Sequence, residues 1–284
     1  SIVLFVYRLP IVRSVGNIKA FSKESFISIN NIFFASLVFS VMLGVTYPLI
    51  YEYLFEQKIS VGAPFYNAIF IPIVVIAAFF LFFSIDSKWQ RTIKIPFFGG
   101  PKIASYFFTV IVTIFCVFFF ETRSITIIAS LFAGFLLVIR YLIEIFLVVT
   151  RKKYINPFSI VAHFSLGLLI VSIAINSVLS SERAINIKIN ETETYKDLSI
   201  YFEDIKVLKK SNHDAIQAKF LVSDTKSNSF RLSPEKRKYF TRGQITTETA
   251  IHVSPLRDVY MTIGDQLDDG SWVLNIQINY LIRW

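Results

Sequence analysis

Five stretches of this chain are apolar for long enough to cross a bilayer: Ile32 to Ile50, Phe65 to Ile85, Ala104 to Phe120, Ile125 to Val149 and Pro157 to Leu179. Each approaches the roughly 20 residues that a helix needs to span the hydrocarbon, so each predicts a transmembrane helix. A shorter apolar piece, Ile2 to Tyr7, runs straight into Arg8 and reads as the last turns of a helix that begins upstream, so the chain is expected to be a fragment. No charged segment with a cleavage site follows Ser1, and no signal peptide is read there. After Leu179 the pattern changes. Alternating or β-branched segments at 184–189, 198–207, 216–222, 247–253, 259–263 and 272–282 are separated by turn-rich joints such as Ser211-Asn212-His213-Asp214 and Asp268-Asp269-Gly270-Ser271. They predict about six short strands in a small sandwich or partly open barrel. The last strand ends in Tyr280 to Trp284, an aromatic and arginine ending suited to a membrane interface. The expected fold is a polytopic α-helical membrane protein over residues 1–180 with a small all-β extramembrane domain over 181–284.

Composition agrees with that class: 54% of residues are hydrophobic, 30 are phenylalanine and only 17% are charged. The net charge of +9 points to nucleic acid only until its distribution is read. Residues 1–180 hold 14 Lys and Arg against 6 Asp and Glu, and most of those cations fall in alternate connections. Arg8, Arg13, Lys19 and Lys23 precede the first span, Lys88, Arg91, Lys94 and Lys102 follow the second, and Arg151 to Lys153 follow the fourth. By the positive-inside rule these connections are cytoplasmic or matrix-facing, which puts the β domain in the periplasm or the mitochondrial intermembrane space. That domain carries 15 basic and 14 acidic residues with no basic stripe, so no nucleic-acid partner is expected. The single cysteine, Cys116, sits inside a span and excludes a disulfide framework. Gly99-Gly100-Pro101 reads as a turn re-entering the membrane, not as a phosphate loop.

The residue with the most chemistry is His163, a lone imidazole within the fifth span. An ionisable group at that depth is costly and is a functional candidate by default, and a neutral imidazole is the commonest metal ligand. It is therefore either a haem axial ligand or a histidine hydrogen-bonded to a neighbouring helix. Ala162, Ser165 and Gly167 around it are small, which lets either a second helix or a flat macrocycle come close. Arg140 and Glu144, four apart, are expected to pair with each other and snorkel toward water. Asn176 and Ser177 are explained by capping and hydration, and His213 and His252 as solvated surface residues.

Specific strings go further. Lys58 to Asn67, KISVGAPFYN, resembles an outer loop of the CcmF family, the haem lyase subunits of cytochrome c maturation. In the same order as in that family come Phe21 to Asn31 (FSKESFISINN), Thr46-Tyr47-Pro48-Leu49, and Val161-Ala162-His163. Leu232 to Ile251, with Pro234-Glu235-Lys236-Arg237, Arg242-Gly243 and Thr246-Thr247-Glu248, looks like the LxPEKRxYxxRGxxTTE signature, and Asp258 to Asp265 looks like the DLYxxLGD motif after it. The resemblance covers the chain but only the C-terminal part of the family. The family's tryptophan-rich haem-handling segment has no counterpart here, since Trp89, Trp272 and Trp284 are scattered.

The resemblance implies a component of the cytochrome c haem lyase in the bacterial or mitochondrial inner membrane. Such a lyase receives haem from a haem chaperone and promotes thioether formation with the CxxCH thiols of apocytochrome c. Its implied partners are the haem chaperone, apocytochrome c, thioredoxin-like apocytochrome-handling subunits, and the N-terminal part of the same lyase. The implied cofactor is a permanent haem b among the helices, with His163 as one axial ligand of its iron. Arg237 and Arg242 are candidates for propionate or partner contact. The readings that compete are a non-catalytic membrane scaffold whose β domain docks partners, and a transporter, which the scarcity of intramembrane polar groups disfavours.

Overall fold

The computed structural model describes residues 2–8, 18–91, 99–151, 157–225, 228–241 and 243–282. They form six helices, α1 (Ile2–Arg8), α2 (Lys23–Phe55), α3 (Ala63–Ser84), α4 (Gly100–Phe119), α5 (Ile125–Arg151) and α6 (Pro157–Leu179), followed by ten strands. Five of the helices, α2 to α6, are long and apolar enough to cross a membrane. The chain divides into a helical unit, residues 1–171, and a β unit, residues 172–284, with α6 running across the division.

In the helical unit, α2 is 33 residues, about 50 Å at 1.5 Å per residue, and starts nine residues before its apolar run. Ser22 sets that start: it is fully buried in extended backbone, and its Oγ accepts the Ser25 backbone N–H at 3.3 Å as an N-cap. The FSKES string therefore begins with a capping signal. Gly62 and Gly99 stand at the N-caps of α3 and α4, each followed by a proline in the first turn, where its missing N–H costs nothing. Gly99-Gly100-Pro101 is thus the start of a helix. Phe82, Ala133, Leu136 and Leu137 form the centre of the apolar core, and Tyr141 packs with them.

The β unit is a sandwich of two antiparallel sheets, which decides between the two architectures read from the sequence. One sheet has the order β1-β10-β9-β8, formed by Ser181–Ile187, Trp272–Tyr280, Arg257–Gln266 and Ala250–Val253. The other has the order β2-β3-β4-β6-β7, formed by Thr192–Tyr195, Leu198–Lys209, His213–Asp224, Glu235–Tyr239 and Ile245–Glu248, with β5 (Ser229–Leu232) also pairing with β4. Every second residue of the long strands enters the core: Leu198, Ile200 and Phe202 on β3, Val259, Met261 and Ile263 on β9, Leu274, Ile276 and Ile278 on β10. Phe202 and Phe220 stack across β3 and β4 with ring centroids 4.5 Å apart. A bulge after Phe202 shifts the register, and beyond it Val207 on the same strand is exposed. The sequence pattern missed β2, β5 and β6 and merged β7 with β8. The β6 segment, Glu-Lys-Arg-Lys-Tyr, has no apolar alternation to detect.

Candidate functional site

His163 lies on the seventh residue of α6, about 9 Å along the helix from Pro157. Its Nδ1 is 2.6 Å from the backbone carbonyl of Ser159, one turn earlier, and 3.3 Å from the Ser159 hydroxyl. A carbonyl oxygen only accepts, so Nδ1 carries a proton, and the neutral tautomer compatible with that bond has its lone pair on Nε2. Among the described residues no hydrogen-bond partner is found for Nε2. The ring lies parallel to that of Tyr141 on α5, with an interplanar angle of 2° and centroids 5.3 Å apart, so packing fixes its plane as well.

Those constraints come from a close crossing of α5 and α6. A Cβ on Gly134 would sit 2.7 Å from Val171 Cγ2, and a Cβ on Gly167 would sit 3.0 Å from both Leu137 Cβ and the Val138 backbone nitrogen. The small residue one turn after His163 therefore admits a helix, which answers that part of the sequence expectation in favour of helix packing. Space remains on another side. A cleft of about 420 Å³ is walled by His163 and Ser159 of α6, Tyr141 and Glu144 of α5, Leu81 near the end of α3, and the first two turns of α2, where Lys23 and Asn30 line it.

Beside the cleft lies a charge network. Arg140 pairs with Glu144 at 2.6 Å and reaches Asp86 at 3.3 Å, and Asp86 pairs with Lys102 at 3.0 Å. Arg140 and Glu144 are each only 1% exposed, so they do not snorkel to water as expected from the sequence. Asp86 and Lys102 supply the opposite charges that make burial tolerable, and Arg140 also lies 6.0 Å from the centre of the Phe82 ring. The i,i+4 spacing signals the Arg140–Glu144 pair, whereas nothing local signals Asp86 or Lys102 as its partners.

The β-unit residues are committed to one another. Arg237 contacts Glu235 at 2.8 Å and Glu248 at 3.5 Å. Burial raises the Glu235 carboxyl, but the hydrogen bonds from Arg237 and Gln217 outweigh it and hold the group below its ordinary range. Lys236 pairs with Asp265, joining the PEKR string to the Gly264-Asp265 string. Arg237 thus ties β6 to β7, and Arg242 lies outside the described residues. His213 and His252 are not simply solvated. His213 Nε2 is buried and its ring packs 5.1 Å from Tyr239, while His252 stacks on Phe230 at 3.6 Å and burial lowers its pKa. Asn176, in the last turns of α6, accepts the Tyr280 backbone N–H at 2.7 Å, a specific long-range partner where the sequence suggested capping and hydration.

Comparison with known proteins places this arrangement. Residues 178–279 match the family described as the CcmF C-terminal beta-sandwich. The chain is 28% identical over 291 residues to the cytochrome c-type biogenesis protein CcmF of Escherichia coli (strain K12), an alignment covering 100% of this chain and 44% of that protein. It is 26% identical over 301 residues to the protein of the same name from Haemophilus influenzae (strain ATCC 51907 / DSM 11121 / KW20 / Rd), covering 100% and 45%. A solved structure titled Cytochrome c Heme Lyase CcmF superposes with a TM-score of 0.70 at 17% identity, covering 94% of this chain and 44% of that one. The chain spans less than half the length of these relatives. Residues 178–279 thus match the CcmF C-terminal beta-sandwich, and the chain as a whole is similar to the C-terminal part of CcmF proteins in sequence and to the solved CcmF structure in fold.

Proposed function

We propose that this chain acts in cytochrome c maturation as part of a haem lyase, and that His163 is an axial ligand of a b-type haem held in the helical unit. The observation that carries the ligand assignment is the Ser159 carbonyl bound to Nδ1, which leaves the Nε2 lone pair on a ring that also walls the cleft. Metal-ligating histidines typically donate their other N–H to such an acceptor, which sets the tautomer and raises the basicity of the donor atom. Among the described residues no second histidine lines the cleft, so the other axial ligand is not assigned. A haem bound there supplies one-electron chemistry, and the protein supplies ligation, orientation and a low-dielectric surround.

Each part of the chain has a distinct task in this reading. Ser159 and Tyr141 hold the imidazole still, so ligation costs little reorganisation. The Asp86, Lys102, Arg140 and Glu144 network pairs two anions with two cations close to the cleft. The β sandwich, on the periplasmic or intermembrane-space side, offers the surface for the haem chaperone and apocytochrome c. The test is the absorbance of a purified complex containing this chain. His163→Ala should remove or strongly shift a b-type spectrum while the complex still assembles. An unchanged spectrum would rule out the ligand role.

A further inference from the structure

Among the described residues the cleft that His163 lines has one cation on its wall, Lys23, and its placement is unusual. Lys23 is the first residue of α2, where the helix dipole presents positive charge and disfavours an ammonium. The chain nevertheless fixes it there. The Lys23 backbone N–H donates to the Lys88 carbonyl at 3.1 Å, and the Gln90 backbone N–H donates to the Glu24 carboxylate at 2.8 Å. The Lys23 Nζ sits 5.1 Å from the centre of the Trp89 ring. The side chain is thereby held by a cation–π contact and has no carboxylate partner among the described residues. Along α2, the residues facing the cleft are Lys23, Phe26, Ile27 and Asn30, one helical face about 10 Å long with polar groups at both ends.

The first-turn amides of α2 are already taken, Lys23 N–H by the Lys88 carbonyl and Ser25 N–H by the Ser22 hydroxyl, so the group left to meet an anion is the Lys23 ammonium, on the wall of the same cleft as His163, whose Nε2 has no hydrogen-bond partner among the described residues. Glu144, which also lines the wall, is already paired with Arg140. We infer that Lys23, held by Trp89 at the N-terminus of α2, binds a propionate carboxylate of the haem ligated by His163 and so sets the register of the macrocycle in the cleft. This rests on the haem reading above. Lys23 acts as a positioning residue: it neutralises a carboxylate near the iron and thereby favours the reduced form.

The experiment is a redox titration, followed by the b-type absorbance, of the purified membrane complex carrying Lys23→Arg, Lys23→Gln or Lys23→Glu. The expected result is that the spectrum is retained in all three. The midpoint potential should stay near that of the parent with arginine, fall with glutamine, and fall further with glutamate. Trp89→Leu, which keeps the charge and frees the side chain, should give a smaller fall. Equal potentials across the series would overturn the inference. So would a loss of co-purifying anionic phospholipid in Lys23→Gln without any change of potential, since the anion would then be a lipid phosphate. Failure of the haem reading looks different: the parent complex shows no b-type spectrum, or His163→Ala leaves it untouched.

Discussion

The α5–α6 crossing makes a quantitative prediction through Gly134, Gly167 and Val171. An added methyl at Gly134 meets Val171 Cγ2 at 2.7 Å and the Val171 backbone nitrogen at 3.1 Å, closer than carbon atoms pack. At Gly167 the methyl meets the Val138 backbone nitrogen at 3.0 Å, which cannot rotate away. Overpacking of this kind costs about 1–3 kcal/mol, so Gly134→Ala and Gly167→Ala should each lower stability by roughly 5- to 150-fold in the unfolding constant. Combining them should cost less than the sum, because one separation of the two helices relieves both contacts. Val171→Ala removes Cγ2 and should recover part of the Gly134→Ala loss while leaving Gly167→Ala unrescued. Unfolding of the detergent-solubilised protein by a denaturing surfactant, followed by circular dichroism, gives all of these values in one set of double-mutant cycles. Full additivity of the two alanines, or equal rescue of both by Val171→Ala, would refute the crossing as described. The same displacement moves Tyr141 away from His163, so on the proposed haem ligation Gly167→Ala should also shift the b-type spectrum.

Two further outcomes follow from the charges. Glu144→Ala removes the nearer of the two carboxylates, at 2.6 Å, from a 1%-exposed Arg140 and should destabilise the helical unit by up to about 3–5 kcal/mol, with Arg140→Met/Glu144→Leu recovering much of it in the same surfactant assay. In the β unit, burial against Phe230 lowers the His252 pKa, so the unfolded chain binds the proton more readily than the folded one. Stability should therefore be full above the ordinary histidine pKa and decline as the pH falls below about 6.5, and His252→Phe should flatten that decline in near-ultraviolet thermal melts.

The readable parts of this molecule are those where one physical requirement dominates a contiguous run. Hydrocarbon demands unbroken apolar length, so α3 to α6 stand out, whereas the extra turns of α2 at Lys23 to Asn31 are polar and are signalled only by the Ser22 cap. Buried strands announce themselves through alternation, as Trp272 to Ile278 does; β6 is charged at its first four residues and owes its place to pairing with β4 and β7. At the site, the cost of a histidine inside a span identifies His163. Its stacking on Tyr141, 22 positions earlier, and the pairing of Arg140 with Asp86, 54 positions earlier, are long-range choices that no local pattern encodes. The ordered strings of the β unit carry a different message in three dimensions. Their charged residues largely face one another, Lys236 with Asp265 and Arg237 with Glu235 and Glu248, so they specify how the sandwich closes.

The Asp86, Lys102, Arg140 and Glu144 network also bears on how the chain is built into the bilayer. Synthesis delivers these groups in the order anion, cation, cation, anion, on the exit of α3, the entry of α4 and the middle of α5. Arg140 alone adds about 2.5–3.5 kcal/mol to the insertion of its own helix if it meets lipid near the helix centre. By the time α5 emerges, Asp86 and Lys102 are already in place, and Glu144 follows one turn behind. The least costly route is therefore for α5 to leave the insertion machinery directly onto the waiting α3–α4 pair. The network thus works as an assembly checkpoint: a chain that lost Asp86 would take from Lys102 its carboxylate at 3.0 Å and leave Arg140 to Glu144 alone during insertion, before any cofactor or partner could report the fault.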